Sequence, residues 1–78
     1  RRGGSLLPVG VSSVTGRFER GDTVRVSAED GRELARGLVN YAADDLARIC
    51  GAQSDQIESI LGFFYGDEVI HRNNMVLL

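Results

Sequence analysis

The sequence FERGDTVRVSAEDG, which covers residues 18–31, decides the fold. Within it, Val24, Val26 and Ala28 alternate with polar residues, and this period of two is typical of a strand that buries one face and exposes the other. Asp30-Gly31 then predicts a tight turn, because Asp and Gly tolerate the positive φ that hairpin turns require. Since an isolated hairpin is marginal in water, we expect the rest of the chain to cover its apolar face.

A second strand is expected within residues 32–41, where Leu34 and Leu38 add apolar side chains. Gly37 interrupts this run, and a glycine inside a strand marks either a bulge or a place where another backbone comes close. We predict that the strand bends at Gly37, as a strand that curves around a small barrel would.

Two short helices are predicted next, at about residues 43–50 and 54–61. In both, apolar residues recur at i, i+3 and i+4 and so share one helix face. These residues are Leu46, Ile49 and Cys50 in the first helix, and Ile57, Ile60 and Leu61 in the second. Ser54 is positioned to cap the start of the second helix, while Gly51 and Gly62 are positioned to end the two helices. Helices of this length do not persist alone, so they must pack against the sheet.

The two ends of the chain are also predicted to be extended. Residues 6–11 suit an entry segment with a bend, and a less regular strand continues from there toward Phe18. Residues 63–65, Phe-Phe-Tyr, should place at least one aromatic ring in the core. Residues 68–71 and 75–78 are predicted to pair as a closing hairpin, since the connecting Arg-Asn-Asn favours a turn. The element order predicts a mixed, mainly β domain, a small barrel with helices against it.

Composition sets the class of protein. The chain has 78 residues, room for one domain, with 42% hydrophobic and 26% charged residues. No apolar run approaches the ~20 residues of a membrane span, so we expect a soluble domain and no membrane partner. The single cysteine, Cys50, cannot form an internal disulfide, which favours a reducing compartment such as the cytoplasm. Nine basic residues, all arginine, against eleven acidic ones give a net charge of −2, which disfavours nucleic-acid binding.

The beginning of the sequence indicates a piece of a longer protein. Residues 1–5, Arg-Arg-Gly-Gly-Ser, lack an initiating methionine and show no signal-peptide pattern. Their Gly and Ser content is typical of a linker. We therefore predict a linker remnant at residues 1–5 and one domain at residues 6–78.

No catalytic, cofactor-binding or metal-binding residue is predicted. The only histidine, His71, has no second ligand at metal-site spacing, and Cys50 on an apolar helix face is expected to be a core residue rather than a nucleophile. The acidic pairs Asp44-Asp45 and Asp67-Glu68 are explained by a helix start and a turn. A phosphate-binding glycine loop and a lysine to accompany it are both missing from the sequence.

One cluster of positive charge is a candidate for binding RNA phosphate or a partner's carboxylates. It would consist of Arg17, Arg20, Arg25, Arg48 and Arg72. Acidic residues interleave with the first three of these arginines, and a mixed solvated face is therefore the favoured interpretation. The interleaved residues are Glu19, Asp22, Glu29, Asp30 and Glu33.

Several segments together resemble the C-terminal PUA domain of bacterial glutamate 5-kinases. The matching segments are residues 5–11 (SLLPVGV), 16–22 (GRFERGD), 35–38 (ARGL), 40–41 (NY), 57–62 (IESILG) and 69–77 (VIHRNNMVL). The resemblance implies a PUA-like pseudo-barrel of short strands with two short helices packed against it. The sequence departs from the family at Ala43 and Asn73, where relatives often have Ser and Asp, respectively. The first departure removes a side-chain cap, so that Asp44 or water would have to satisfy the helix start.

The resemblance also implies a function for the parent protein. That protein would transfer the γ-phosphoryl group of ATP, with Mg²⁺, to the γ-carboxylate of L-glutamate, the first committed step toward proline, under feedback control by proline. Its active site would lie in an amino-acid kinase domain outside this chain, so no active-site residue is carried over. The chain would be a regulatory or architectural module whose partners are that kinase domain and further copies of the parent.

Two alternatives come from other functional classes. An RNA-binding module of an RNA-modifying enzyme would need a basic face that this composition does not supply. An independent enzyme would need a nucleophile, a base and oxyanion donors that these residues do not offer.

Overall fold

The computed structural model describes residues 4–78, so the predicted linker remnant at residues 1–5 lies partly outside the described residues. In chain order the elements are β1 (Thr23–Ser27), β2 (Glu33–Leu38), α1 (Ala43–Ile49), α2 (Ile57–Leu61) and β3 (Met75–Leu77). Three 3₁₀ turns stand beside them, at Pro8–Gly10, Ser54–Gln56 and Arg72–Asn74. This mainly β arrangement with two short helices confirms the predicted fold class.

Strands β1 and β2 form the predicted antiparallel hairpin. At the Asp30-Gly31 turn, the Asp30 carboxylate accepts a hydrogen bond from the Arg32 N–H at 3.0 Å, and Gly31 has a φ of 90°. The bulge lies in this hairpin and not at Gly37: the register shifts between Val26, opposite Ala35, and Ser27, opposite Glu33. The extra residue of β2 is absorbed close to the turn, where the pairing is least constrained.

The predicted closing hairpin is wrong. Strand β3 pairs with β2, in the sheet order β1-β2-β3, and residues 68–71 contribute only one isolated bridge, between Ile70 and Leu6. The N–H groups of Leu6 and Val69 donate to the carbonyls of Ile70 and Leu6, at 2.9 and 2.7 Å. Because the entry segment takes up the backbone of Ile70, the 3₁₀ turn Arg72–Asn74 carries the chain past it to the free edge of β2.

Gly37 is the site of a close backbone approach, the second of the two roles expected for it. A Cβ atom at this position would lie 2.5 Å from the carbonyl oxygen of Asn74 and 2.7 Å from Cγ2 of Ile70. Only glycine therefore lets β3 and the segment before it pack directly on β2.

The helices occupy the predicted positions with two corrections. Ser54 does not cap a helix; its hydroxyl donates to the carbonyl of Asp67 at 3.2 Å, and the first turn of the second helix is 3₁₀. Helix α1 starts without a side-chain cap, and the N–H of its first residue, Ala43, donates to the carbonyl of Phe18 at 3.0 Å, so the backbone satisfies one of the free amides at the helix start. Gly62 ends α2 in the left-handed conformation, as predicted, with a φ of 85°.

The core lies between the inner face of the sheet and the two helices. Its buried members are Val39, Tyr41, Leu46, Ile49, Ile57, Leu61, Val69 and Ile70. Phe63 packs against this core and is partly buried, whereas Phe64 and Tyr65 are exposed. Leu34 and Leu38, the apolar side chains noted in this strand, point outward on β2 beside Arg36, because Ala35 and Gly37 take the inward positions. The irregular strand expected before Phe18 does not form.

Candidate functional site

Several of the side chains that could carry out chemistry make hydrogen bonds within the domain instead. The imidazole Nδ1 of His71 accepts a hydrogen bond from the Asn73 N–H at 3.1 Å and caps the last 3₁₀ turn. This role agrees with the structural interpretation of the only histidine. His71 is therefore a turn-capping residue.

Cys50 is not part of the core, contrary to the sequence-based expectation. It is the C-terminal cap residue of α1, is half-buried, and its Sγ lies 3.4 Å from the carbonyl oxygen of Ala47. Asp44 and Asp45 lie in the first turn of α1, as predicted. Within residues 4–78, no three His, Cys, Asp or Glu side chains gather as metal ligands would.

Several arginines are held by contacts within the domain. The guanidinium of Arg20 lies over the ring of Tyr65, 3.9 Å from its centroid. Arg48 donates to the carbonyl oxygen of Ile60 near the end of α2, at 2.5 Å. On the outer face of β2, Arg36 forms an ion pair with Glu33, and this hydrogen bond lowers the pKa of the Glu33 carboxyl below its ordinary value. Two members of the predicted patch, Arg20 and Arg48, thus bind their own domain.

The hydroxyl of Tyr41 fastens the segment after α2 to the end of β2. It accepts a hydrogen bond from the Tyr65 N–H at 2.9 Å and donates one to the carbonyl of Gly66 at 2.7 Å. The Tyr41 side chain is fully buried, and burial raises the pKa of its hydroxyl above the ordinary tyrosine value. Its ring lies 5.5 Å from the ring of Tyr65. One side of the core is therefore closed by a satisfied polar network.

The outer face of the sheet carries an apolar patch, which we call the outer sheet patch and which sequence reasoning missed. It consists of Leu34, Leu38, Val76 and Leu78, which are 40%, 44%, 65% and 69% exposed. Val76 lies opposite Arg36, and the Leu78 N–H donates to the carbonyl of Leu34, so the patch spans β2 and β3. Its sequence signal is the pair of leucines that alternate with the small inward residues Ala35 and Gly37. Exposed apolar patches of this kind are typical of protein-contacting surfaces.

A groove of about 370 Å³ opens on the opposite side of the hairpin. One wall is β1 with the residues that follow it, through Glu29, and the other is the irregular segment at residues 10–15. Half-buried and buried apolar side chains form its floor, among them Val24, Val26 and Ile70. We call this feature the β1 groove.

Within residues 4–78, no helix is long and apolar enough to span a membrane.

Comparison with known proteins agrees with this fold. A family model described as PUA domain matches residues 1–61, and the chain therefore belongs to the PUA domain family. The sequence-based resemblance to this family is confirmed.

The curated relatives narrow the class further. The chain is 58% identical to glutamate 5-kinase of Deinococcus radiodurans over 99% of its length, and 58% identical to that of Geobacter sulfurreducens over 100%. It is 51% identical to glutamate 5-kinase of Thermus thermophilus over 97% of its length. In the first two comparisons the chain spans only 21% of the relative. The similarity is thus to one small part of a larger enzyme.

Proposed function

We propose that this chain is the C-terminal PUA module, at residues 6–78, of a glutamate 5-kinase. The complete protein would transfer the γ-phosphoryl group of ATP to the γ-carboxylate of L-glutamate in the first step of proline biosynthesis. The observation that carries the proposal is 51–58% identity to proteins of that name over nearly the whole chain. An RNA-modifying enzyme is not favoured, because these relatives are kinases by name and the chain is acidic overall.

Within that protein we assign the chain a regulatory or architectural role. Its chemically capable side chains serve turns, helix ends and the tyrosine network, as described for His71, Arg48 and Tyr41. The outer sheet patch, in contrast, is not covered by any part of the chain that the structure describes, and it can contact another protein surface. The partners would be the kinase domain of the same polypeptide and further copies of the parent protein, in the cytoplasm.

ATP and Mg²⁺ would bind to the kinase domain and not to this chain. The sequence has no lysine and no glycine-rich loop of the kind that holds the phosphates of ATP. No step of phosphoryl transfer is therefore assigned to a residue of this chain.

The test compares the complete polypeptide with a version that lacks residues 1–78. ADP release with L-glutamate, against L-aspartate as a control substrate, measures kinase activity. We expect the complete polypeptide to release ADP with L-glutamate only. The shortened version should differ in proline inhibition or in molar mass by light scattering.

Two results would contradict the proposal. The first is an absence of glutamate-dependent ADP release by the complete polypeptide. The second is phosphoryl transfer by the 78-residue chain alone, which would place the active site in this domain.

A further inference from the structure

The outer edge of β1 carries unpaired backbone groups. In the sheet order β1-β2-β3, β1 is an edge strand, and within residues 4–78 no strand pairs with its outer side. The Val39 N–H donates to the carbonyl of Asp22, and hydrogen-bonded pairs alternate along an antiparallel ladder. Val24 and Val26 therefore bond to β2, while the N–H and C=O groups of Thr23 and Arg25 point away from β2, and Arg25 lines the β1 groove.

The other wall of the groove is equally unpaired. Residues 12–16 are extended or irregular, and among residues 4–78 their backbone groups make no hydrogen bond. Just before them, the segment is anchored, since the Val11 N–H donates to the carbonyl of Pro8 at 3.0 Å. Two runs of backbone with free donors and acceptors thus face the same groove.

The floor between these walls is apolar. Val24, Val26, Val14 and Phe18 are only half-buried there although they pack against the core, and Leu46 and Ile70 lie beneath them. Half-buried core side chains lose part of the stabilisation that complete burial would give. A segment that filled the groove would complete their burial.

We propose that the β1 groove receives an additional β-strand, supplied by the part of the longer polypeptide outside these 78 residues. The inference rests on the proposed function, because relatives are about five times longer: the chain spans 21% of their length. The strand pairs with the outer edge of β1 through main-chain hydrogen bonds. Alternate apolar side chains of this strand cover Val24 and Val26, and its other side chains face solvent.

The shape of the groove argues against a second copy as the occupant. If two copies paired through their β1 edges, each would bring its own wall at residues 10–15 into the place that the other strand must enter. The groove therefore admits a single strand more readily than a second domain. Its volume of about 370 Å³ also falls within the ~300–1,000 Å³ of small-molecule pockets, and a small apolar ligand is an alternative outcome of the test.

The first experiment measures amide hydrogen exchange in the complete polypeptide and uses the other sheet edge as an internal control. The Leu78 N–H donates to Leu34, and the same alternation directs the amides of Met75 and Leu77 away from β2. We expect the amides of Thr23 and Arg25 to exchange at least about tenfold more slowly than those of Met75 and Leu77. Equal exchange at the two edges would overturn the proposal.

Matched variants test whether the backbone donor matters. Arg25→Pro removes the N–H that points into the groove, whereas Arg25→Ala keeps it; proline is tolerated on an unpaired edge but not within a pairing. In the complete polypeptide, Arg25→Pro should abolish the slow exchange of Thr23 while Arg25→Ala preserves it. Leu77→Pro and Leu77→Ala, on the other edge, should leave the exchange of Thr23 unchanged. Retention of slow exchange in Arg25→Pro would contradict strand pairing.

A crosslink identifies the occupant. A photoreactive benzoylphenylalanine at Ser13, on the second wall, should react with a residue of the same polypeptide outside residues 1–78. A crosslink to residues 1–78 of another copy, or no crosslink while a small apolar molecule co-purifies, would overturn the proposal. If the complete polypeptide phosphorylates glutamate but shows none of these signals, the strand proposal fails and the proposed function stands.

Discussion

The two sides of the core differ in how completely their side chains are buried and their backbone groups are hydrogen-bonded. Around Tyr41, the hydroxyl of a fully buried side chain hydrogen-bonds both backbone groups that approach it, and the neighbouring Val39 is 1% exposed. Around the β1 groove, Val24 and Val26 are half-buried and the adjacent strand edge is unpaired. The difference shows that the Tyr41 side is self-sufficient, whereas the β1 side has the properties of an interface whose second half lies elsewhere.

The largest expected effect on stability comes from shortening one valine to alanine on each side of the core. Val39→Ala should cost about 2–3 kcal/mol of unfolding free energy, since a fully buried valine is truncated and a cavity remains. Val24→Ala should cost less than half as much in the 78-residue chain, because its side chain already contacts water. Urea unfolding measures both. In the complete polypeptide the two costs should converge if a strand covers Val24, and equal costs in the short chain would remove the contrast.

Gly37 tests the closed packing of β3. Gly37→Ala should destabilise by about 1–3 kcal/mol, because the new Cβ would lie 2.5 Å from the Asn74 carbonyl oxygen. The control is Gly10→Ala, whose Cβ would meet only Leu6 Cδ1, at 3.9 Å. Unfolding midpoints in urea provide the measurement. Similar midpoints for the two variants would show that β3 can move away without cost.

Tyr41→Phe isolates the hydroxyl on the closed side. The ring stays, but the Tyr65 N–H and the Gly66 carbonyl lose their shared partner, so we expect a loss of about 1–2 kcal/mol. Tyr65→Phe is the control, since the contacts of Tyr65 described above involve its backbone N–H and its ring. A Tyr41→Phe variant as stable as the parent would mean that water replaces the hydroxyl.

Arg20 should contribute less. Arg20→Gln removes the cation that lies 3.9 Å from the Tyr65 centroid while keeping a long polar side chain, and about 0.5–1 kcal/mol is typical of such a contact at an exposed site. Arg32→Gln, a charge-matched change in the hairpin turn, is the control. The difference in unfolding free energy should disappear in a Tyr65→Leu background. If the difference in unfolding free energy persists in that background, the effect comes from the loss of a positive charge and not from the contact with the Tyr65 ring.

The smallest effect near neutral pH is the titration of Tyr41 itself. Its pKa is raised by burial, so the folded protein holds a proton that the unfolded chain releases above its ordinary value of 10.0. Stability should therefore be full below about pH 10 and decline as the pH rises from there toward the higher pKa of the folded state. Unfolding in urea from pH 8 to 11 measures the decline. Tyr41→Phe should flatten it, and an unchanged slope would contradict the assignment.

The sequence predicted local structure better than pairing. Alternation at Val24 and Val26 identified β1, and the 3.6-residue period identified both helices, because these signals arise within one segment. The destination of β3 depends on residues far apart: Ile70 pairs with Leu6, which frees the edge of β2 for Met75–Leu77. An Arg-Asn-Asn segment favours a turn in either arrangement and could not decide between them.

The candidate surfaces were less accessible to sequence reasoning. Leu34 and Leu38 were read only as apolar side chains of the second strand, and their outward direction became visible only with the small buried residues at 35 and 37. The β1 groove exists because the outer edge of β1 and the backbone of residues 12–16 have no pairing partner in the described chain. No local sequence pattern indicates which strand edges stay unpaired. The family assignment succeeded because it used the whole set of segments at once.

The contact between the two ends of the described chain has a consequence for how the domain forms during synthesis. The Arg72 N–H donates to the Ser5 hydroxyl across 67 positions, and Leu6 pairs with Ile70. An emerging chain can build the β1-β2 hairpin early, but it cannot fasten its entry segment until Ile70 has left the ribosome exit tunnel. We expect nascent chains stalled before Ile70 to be digested readily by protease, and chains stalled well beyond Leu78 to resist it.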